Sequence, residues 1–141
     1  MVRAGESIKG HDFDDVSGRI IGAAIKVHKE LGPGFQEVVY QRALALELDA
    51  AGLDFAREED IRVYYKGQHI DTRRVDFVVE DCIVEIKARK QFLPEDHVQT
   101  INYLKGSEYR LALLFNFGAK TLEIRRYAND KRRNNVAEGI G

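Results

Sequence analysis

The chain has one cysteine, Cys82, no tryptophan and two prolines among 141 residues. A lone thiol excludes an internal disulfide framework, a multi-cysteine zinc site and a four-cysteine iron–sulfur cluster, and it favours a reducing compartment. Apolar runs last only a few residues, far short of the roughly 20 that span a bilayer. The opening MVRAGESIKGHDFDD holds no apolar signal core, so a cytoplasmic location without a membrane is expected. An excess of one charge is also missing. Charged residues make up 32% of the chain but the net charge is −1, which fits neither a disordered chain of high net charge nor a uniformly basic nucleic-acid binder. Instead the charge is sorted along the chain: 7 basic and 12 acidic residues up to Asp60, then 15 basic and 11 acidic from Ile61 onward. A polyanion is expected to prefer the second half. The length and the 44% hydrophobic content fit one domain with one core.

Residues 1–13 read as a polar, mobile lead. From Asp14 to Leu31, Val16, Ile20, Ala23, Ala24, Val27 and Leu31 recur at helical spacing, and Gly32-Pro33 ends the segment. A second helix is expected from about Phe35 to Ala51, burying Val38, Val39, Leu44, Leu46 and Leu48 and stopping at Gly52. From Ile61 the pattern becomes β-branched and aromatic: IRVYY, QHIDTRRVDFVV and CIVEIKARK, separated by KG and ED, predict an antiparallel three-stranded meander. A helix from Glu95 to Lys105 follows, acidic in its first turn and stopped by Gly106. RLALLFNF and TLEIRRY complete the strands, and residues 128–141 read as a disordered polar tail. The order α-α-β-β-β-α-β-β predicts an α/β fold, a mixed sheet flanked by helices.

Folding VDFVV-ED-CIVEIK about its two-residue turn sets Val79 against Cys82, Phe77 against Val84 and Val75 against Ile86 on an apolar face. The opposite face then pairs Val78 with Ile83, Asp76 with Glu85 and Arg74 with Lys87. Two opposed carboxylates, with Cβ atoms about 4.5–5.5 Å apart, destabilise a sheet unless something compensates. A divalent cation, a raised carboxylate pKa or the flanking Arg74 and Lys87 would each serve. Metal-assisted phosphodiester hydrolysis suits this set, with Lys87 orienting or activating water or stabilising phosphate charge. A solvated face with ordinary cross-strand pairs explains the spacing equally well.

These residues resemble a family. Asp76, then eight residues, then Glu85-Ile86-Lys87 is similar to the D…(D/E)xK signature of the PD-(D/E)xK nucleases, with Val75 where a proline is usual. GPGFQEVVY carries Gly34, Glu37 and Tyr40 of the GxxExxY motif, which names a group within that superfamily. Gln99 and Tyr103 in QTINY are similar to the QxxxY element of RecB-type nucleases. The resemblance covers about Asp14 to Tyr127. It implies a restriction-endonuclease-like core with Mg²⁺ or Mn²⁺ held by Glu37, Asp76, Glu85 and the Ile86 carbonyl, and Lys87 assisting water.

Each residue also has an ordinary role. Glu37 is a carboxylate well placed at a helix start, and Tyr40 reads as core. Gln99 and Tyr103 share a helical face, where they would hold Lys87, phosphate or a base, or simply pack. His28 stands before the Gly32-Pro33-Gly34 turn as a phosphate ligand or a structural residue, while His11, His69 and His97 lack ligand spacing. Cys82 falls on the apolar face as an inert thiol. Arg73, Arg74, Arg89 and Lys90 surround the proposed site, and Arg125, Arg126, Lys131, Arg132 and Arg133 suit a phosphate backbone or plain solubility. The reading is a metal-dependent nuclease acting on nucleic acid, DNA before RNA, with a homodimer or partner protein completing its grip. An inactive nuclease-fold module that binds nucleic acid or a protein is the alternative, and hydrolysis of another phosphate compound is a third.

Overall fold

The structure, a computed structural model, describes residues 2–7 and 15–129. The helical spacing in the first segment becomes α1 (Asp15–Leu31), which buries Ile20, Ala23, Ala24 and Val27. It closes on Gly32, at φ 67°, whose N–H donates to the His28 carbonyl at 2.8 Å. The second helix, α2 (Glu37–Ala50), buries Tyr40, Leu44 and Leu48. Residues four apart form a single stripe, and this stripe leaves Val38 and Leu46 in solvent, at 37% and 73% exposure. Their expected burial is therefore corrected: both stand off the Tyr40–Leu44–Leu48 line.

Six strands form one sheet in the order β1-β6-β5-β4-β3-β2: β1 (Val2–Ser7), β2 (Phe55–Tyr65), β3 (Gln68–Val79), β4 (Cys82–Lys87), β5 (Leu111–Asn116) and β6 (Glu123–Asn129). The β4–β5 pair is parallel and the others are antiparallel, because α3 (Pro94–Gly106) carries the chain across from β4 to β5. One side of the sheet packs through Phe77, Val84, Ile86 and Phe115 against α1 and α2. The other packs through Val78, Ile83, Ala112 and Leu114 against Tyr103 and Leu104 of α3. This is the expected restriction-endonuclease-like α/β architecture, with the meander in place and Lys66 and Gly67 at positive φ in its KG turn.

Three boundaries differ from expectation. Residues 2–7 form β1 on the β6 edge rather than a mobile lead, since an edge strand offers unpaired backbone groups to any segment that can lie beside it. β2 begins at Phe55, six residues before the β-branched run, and β6 extends through Asn129. The remainder of the expected lead and tail, with His11, Lys131, Arg132 and Arg133, lies outside the described residues. No helix among the described residues is long and apolar enough to cross a membrane.

Side-chain alternation inverts partway along the β2–β3 ribbon. Phe77 and Val79 pack toward α1 and α2, but Val75 packs with Ile61 toward α3. Glu58 and Asp76, which lie between these positions, are missing from a register that is constant from the Phe55–Val79 pair to the Val63–Asp71 pair and shifts only between Val63 and Tyr64, and Glu58 has φ 50°. A distortion shared by both strands thus turns the outer ribbon over, and Val75 does not join the apolar face that strict alternation assigns to it.

Gly118, just beyond β5, packs directly on the chain that leaves β4. A Cβ there would stand 2.4 Å from both the N and the O of Arg89. Backbone cannot yield as a flexible side chain does, so Gly118→Ala is expected to cost about 2–3 kcal/mol in denaturant unfolding.

Candidate active site

The β3–β4 ladder pairs Val79 with Cys82, Val78 with Ile83 and Phe77 with Val84, and then stops. Beyond it the two carboxylates take the place of backbone pairing. The Asp76 N–H donates to Glu85 Oε1 at 2.8 Å, and the Ile86 N–H donates to Asp76 Oδ2 at 2.7 Å. The expected opposition of Asp76 and Glu85 is present, and the strands have opened around it. The Lys87 carbonyl accepts from Phe117, across toward β5. Because backbone groups alternate sides along a strand, the Ile86 carbonyl shares the edge of its own N–H and faces the opened seam.

Glu85 is only 6% exposed. Burial, followed by the charge of Asp76, pushes its carboxyl up to about 8. Burial also raises Asp76, against the opposing pull of the Ile86 N–H and Lys87. Two carboxyl groups this close do not both ionise unaided, so they share a proton.

Glu37 reaches the same place from α2. Desolvation raises its pKa, and the charges of Lys87, Asp76 and Arg89 and a hydrogen bond from the Ala88 backbone all act on it. The turn before it is locked by Tyr40, which is buried, stacked on Phe117 at 4.8 Å, donates its hydroxyl proton to the Gly32 carbonyl at 2.6 Å and accepts the Phe35 N–H at 3.2 Å. Gly34, at φ 115°, supplies a backbone conformation that a side chain would strain. Gly34, Glu37 and Tyr40 thus form one device that aims a carboxylate at the sheet. Tyr40→Phe is expected to lower stability by about 1–2 kcal/mol in denaturant unfolding, since it frees one donor and one acceptor.

Lys87 is tied down by an acid of α3. Its Nζ stands 3.8 Å from Asp96 Oδ1, and Arg89 donates to the same oxygen at 2.9 Å. Asp96 is 2% exposed, and its Oδ2 accepts the Leu93 N–H at 2.9 Å where α3 begins. Sequence reading placed Asp96 only among helix-start acids. Its signal was weak: an acid at the third helical position is common, and nothing local reveals that it is buried beneath two cations. Asn116 was also missed. Fully buried at the end of β5, it accepts the N–H groups of Arg89 and Gly118 and donates to Glu123, so it braces the segment after Lys87.

A cleft of about 570 Å³ opens between α3 and the outer ribbon, with Lys87, Gln99 and Tyr103 in its lining. Two other predicted ligands are placed elsewhere. Arg74 is 64% exposed and paired with Asp60 at 3.3 Å, while Arg73 lines the cleft in its stead because alternation has inverted at Asp76. His28 Nε2 is 2.9 Å from the Ala119 carbonyl and its ring stands beside Phe117, so it ties α1 to the β5–β6 turn. Cys82 is buried.

No group of three or more His, Cys, Asp or Glu side chains among the described residues is gathered closely enough to form a ready-made metal centre. The donor chemistry nevertheless fits a hard divalent cation. Asp76 and Glu85 each spend one oxygen on a backbone N–H and retain the other, the Ile86 carbonyl faces the same seam, and Glu37 adds charge nearby.

A family model for the PD-(D/E)XK nuclease superfamily matches residues 14–127. No curated protein and no solved structure matches the chain. The matched span runs from just before α1 to within β6 and so takes in the opened seam, the parallel crossover and Lys87: the chain belongs to the PD-(D/E)XK nuclease superfamily.

Proposed function

We propose that this protein is a divalent-metal-dependent nuclease of the GxxExxY kind, hydrolysing phosphodiester bonds in DNA in preference to RNA. The observation that carries the reading is the Asp76–Glu85 pair, bonded across an opened strand seam with Lys87 next along β4. A structural sheet gains nothing from burying two carboxylates that must share a proton, whereas a cation site requires them.

Mg²⁺ or Mn²⁺ would be held by Asp76, Glu85 and the Ile86 carbonyl, with Glu37 contributing charge or a further ligand. The ion supplies Lewis acidity toward a phosphate oxygen and toward water. Lys87, held by Asp96, presents its ammonium beside the carboxylates, where it orients the attacking water and offsets charge growing on the phosphate. Gln99 and Tyr103 meet the substrate from α3. Because many cations near the site already have protein partners, a second copy or a partner protein would add grip on the nucleic-acid backbone.

The test is cleavage of labelled single- and double-stranded DNA and RNA with Mg²⁺, Mn²⁺ or chelator, beside Glu85→Gln prepared identically. Cutting that needs the ion and is lost in the variant supports the reading. Nucleic-acid binding that is equal in metal and chelator, with no cutting by the parent, replaces it with a non-catalytic binding module.

A further inference from the structure

The cleft beside Lys87 is unlike a phosphate groove. Its cations, Arg73, Lys87 and Arg89, are matched in number by Asp71, Glu95 and Asp96. All three cations are also paired directly: Arg73 with Asp71 at 3.1 Å, and Arg89 and Lys87 with Asp96 at 2.9 and 3.8 Å. A polyanion therefore meets a formally neutral surface and gains little there.

The rest of the lining has a different chemistry. Gln99 and Asn102 are three residues apart on α3, so their amides emerge as neighbours. An amide offers a donor and an acceptor together, which is what the edge of a nucleobase requires. Val63 and Val98 supply apolar surface, and Tyr103 borders the same space. The volume, about 570 Å³ in a cleft open to solvent, lies within the roughly 300–1,000 Å³ of clefts that take one small organic molecule. A paired, stacked base cannot enter such a space without leaving its helix.

From this neutral, amide-lined cleft next to Lys87 we infer that the protein holds one unpaired nucleobase of the strand it cuts, so that its substrate class is single-stranded or splayed nucleic acid. The phosphate lies at the carboxylate pair, and the adjoining base turns into the cleft between Asn102 and Gln99. This rests on the nuclease reading for its orientation, but the cleft can be examined by binding alone.

Fluorescence anisotropy of the full chain in Ca²⁺ provides the test, with three probes: a single-stranded oligonucleotide, a strand of the same length whose residues are all abasic, and the duplex. The base-bearing strand is expected to bind about tenfold more tightly than either of the others. Asn102→Ala, at an exposed position, is expected to remove most of that difference without changing abasic binding. Equal binding of the abasic strand, preference for the duplex, or no binding by any probe overturns the inference. Cleavage assays in Mg²⁺ and Mn²⁺ separate the two readings. Base-dependent binding without cutting keeps the cleft and removes the nuclease, whereas cutting of duplex as fast as single strand removes the cleft and keeps the nuclease.

Discussion

Glu85→Gln is expected to reduce metal-dependent cleavage by about 10³-fold while making the metal-free protein more stable at pH 8. The two effects share one cause. In the fold Glu85 keeps its proton to about pH 8, whereas unfolded it ionises near the ordinary 4.5. Below 4.5 both states are protonated and Glu85 adds no pH dependence. Between 4.5 and about 8 the folded state binds the extra proton, so the stability present at low pH is lost as pH rises through that window. Glutamine mimics the protonated acid, since its carbonyl oxygen can accept the Asp76 N–H and its amide can donate to the Asp76 carboxylate. Melting temperatures across pH 5–9 should therefore fall for the parent and stay flatter for the variant. Metal reverses the sign. A cation displaces the shared proton, so Mg²⁺ or Mn²⁺ should bind the parent more tightly as pH rises toward 8 and stabilise it most there. A parent whose melting profile is unchanged by the ion at pH 8 would count against a metal at this pair.

The second large effect is expected at Asp96. Asp96→Ala removes the common anion of Lys87 and Arg89 and the acceptor for the Leu93 N–H at the start of α3. Breaking a buried ion pair is costly because of the partner left behind; here both cations reach some solvent, so a loss of about 2–3 kcal/mol is expected. Cleavage should fall about 100-fold, because the Lys87 ammonium loses the contact that fixes its direction. Asp96→Asn separates the two roles: its amide oxygen can still cap Leu93 and recover about 1 kcal/mol, but it lacks the charge that holds Lys87. Denaturant unfolding and initial cleavage rates of the three proteins check this. Full activity in the asparagine variant would reduce Asp96 to a helix cap.

Much of the site was legible because it depends on local rules. Two strands joined by a two-residue turn admit one register, and that register alone set Phe77 against Val84, Val78 against Ile83 and Asp76 against Glu85. Gln99 and Tyr103 shared a helical face by their spacing, and the Gly34–Glu37–Tyr40 pattern marked a turn followed by a helix start. The inert Cys82 followed from its parity on β4.

Other features required the assembled molecule. Arg73 rather than Arg74 reaches the cleft because the ribbon turns over where Glu58 and Asp76 leave the ladder, and no local pattern records where two strands distort together. The exposure of Leu46, the service of His28 to the Ala119 carbonyl, and the burial of Asp96 and Asn116 all depend on what lies opposite in space. The amino-acid sequence by itself determined the order of elements from α1 to β6, though not β1, together with the hairpin register and the identity of the paired carboxylates, since these follow from neighbours a few residues apart. Tertiary structure alone decided which cation each acid holds and which side chains line the cleft. Those contacts join residues from different elements, and the energies that select them arise only once the sheet and helices have closed around them.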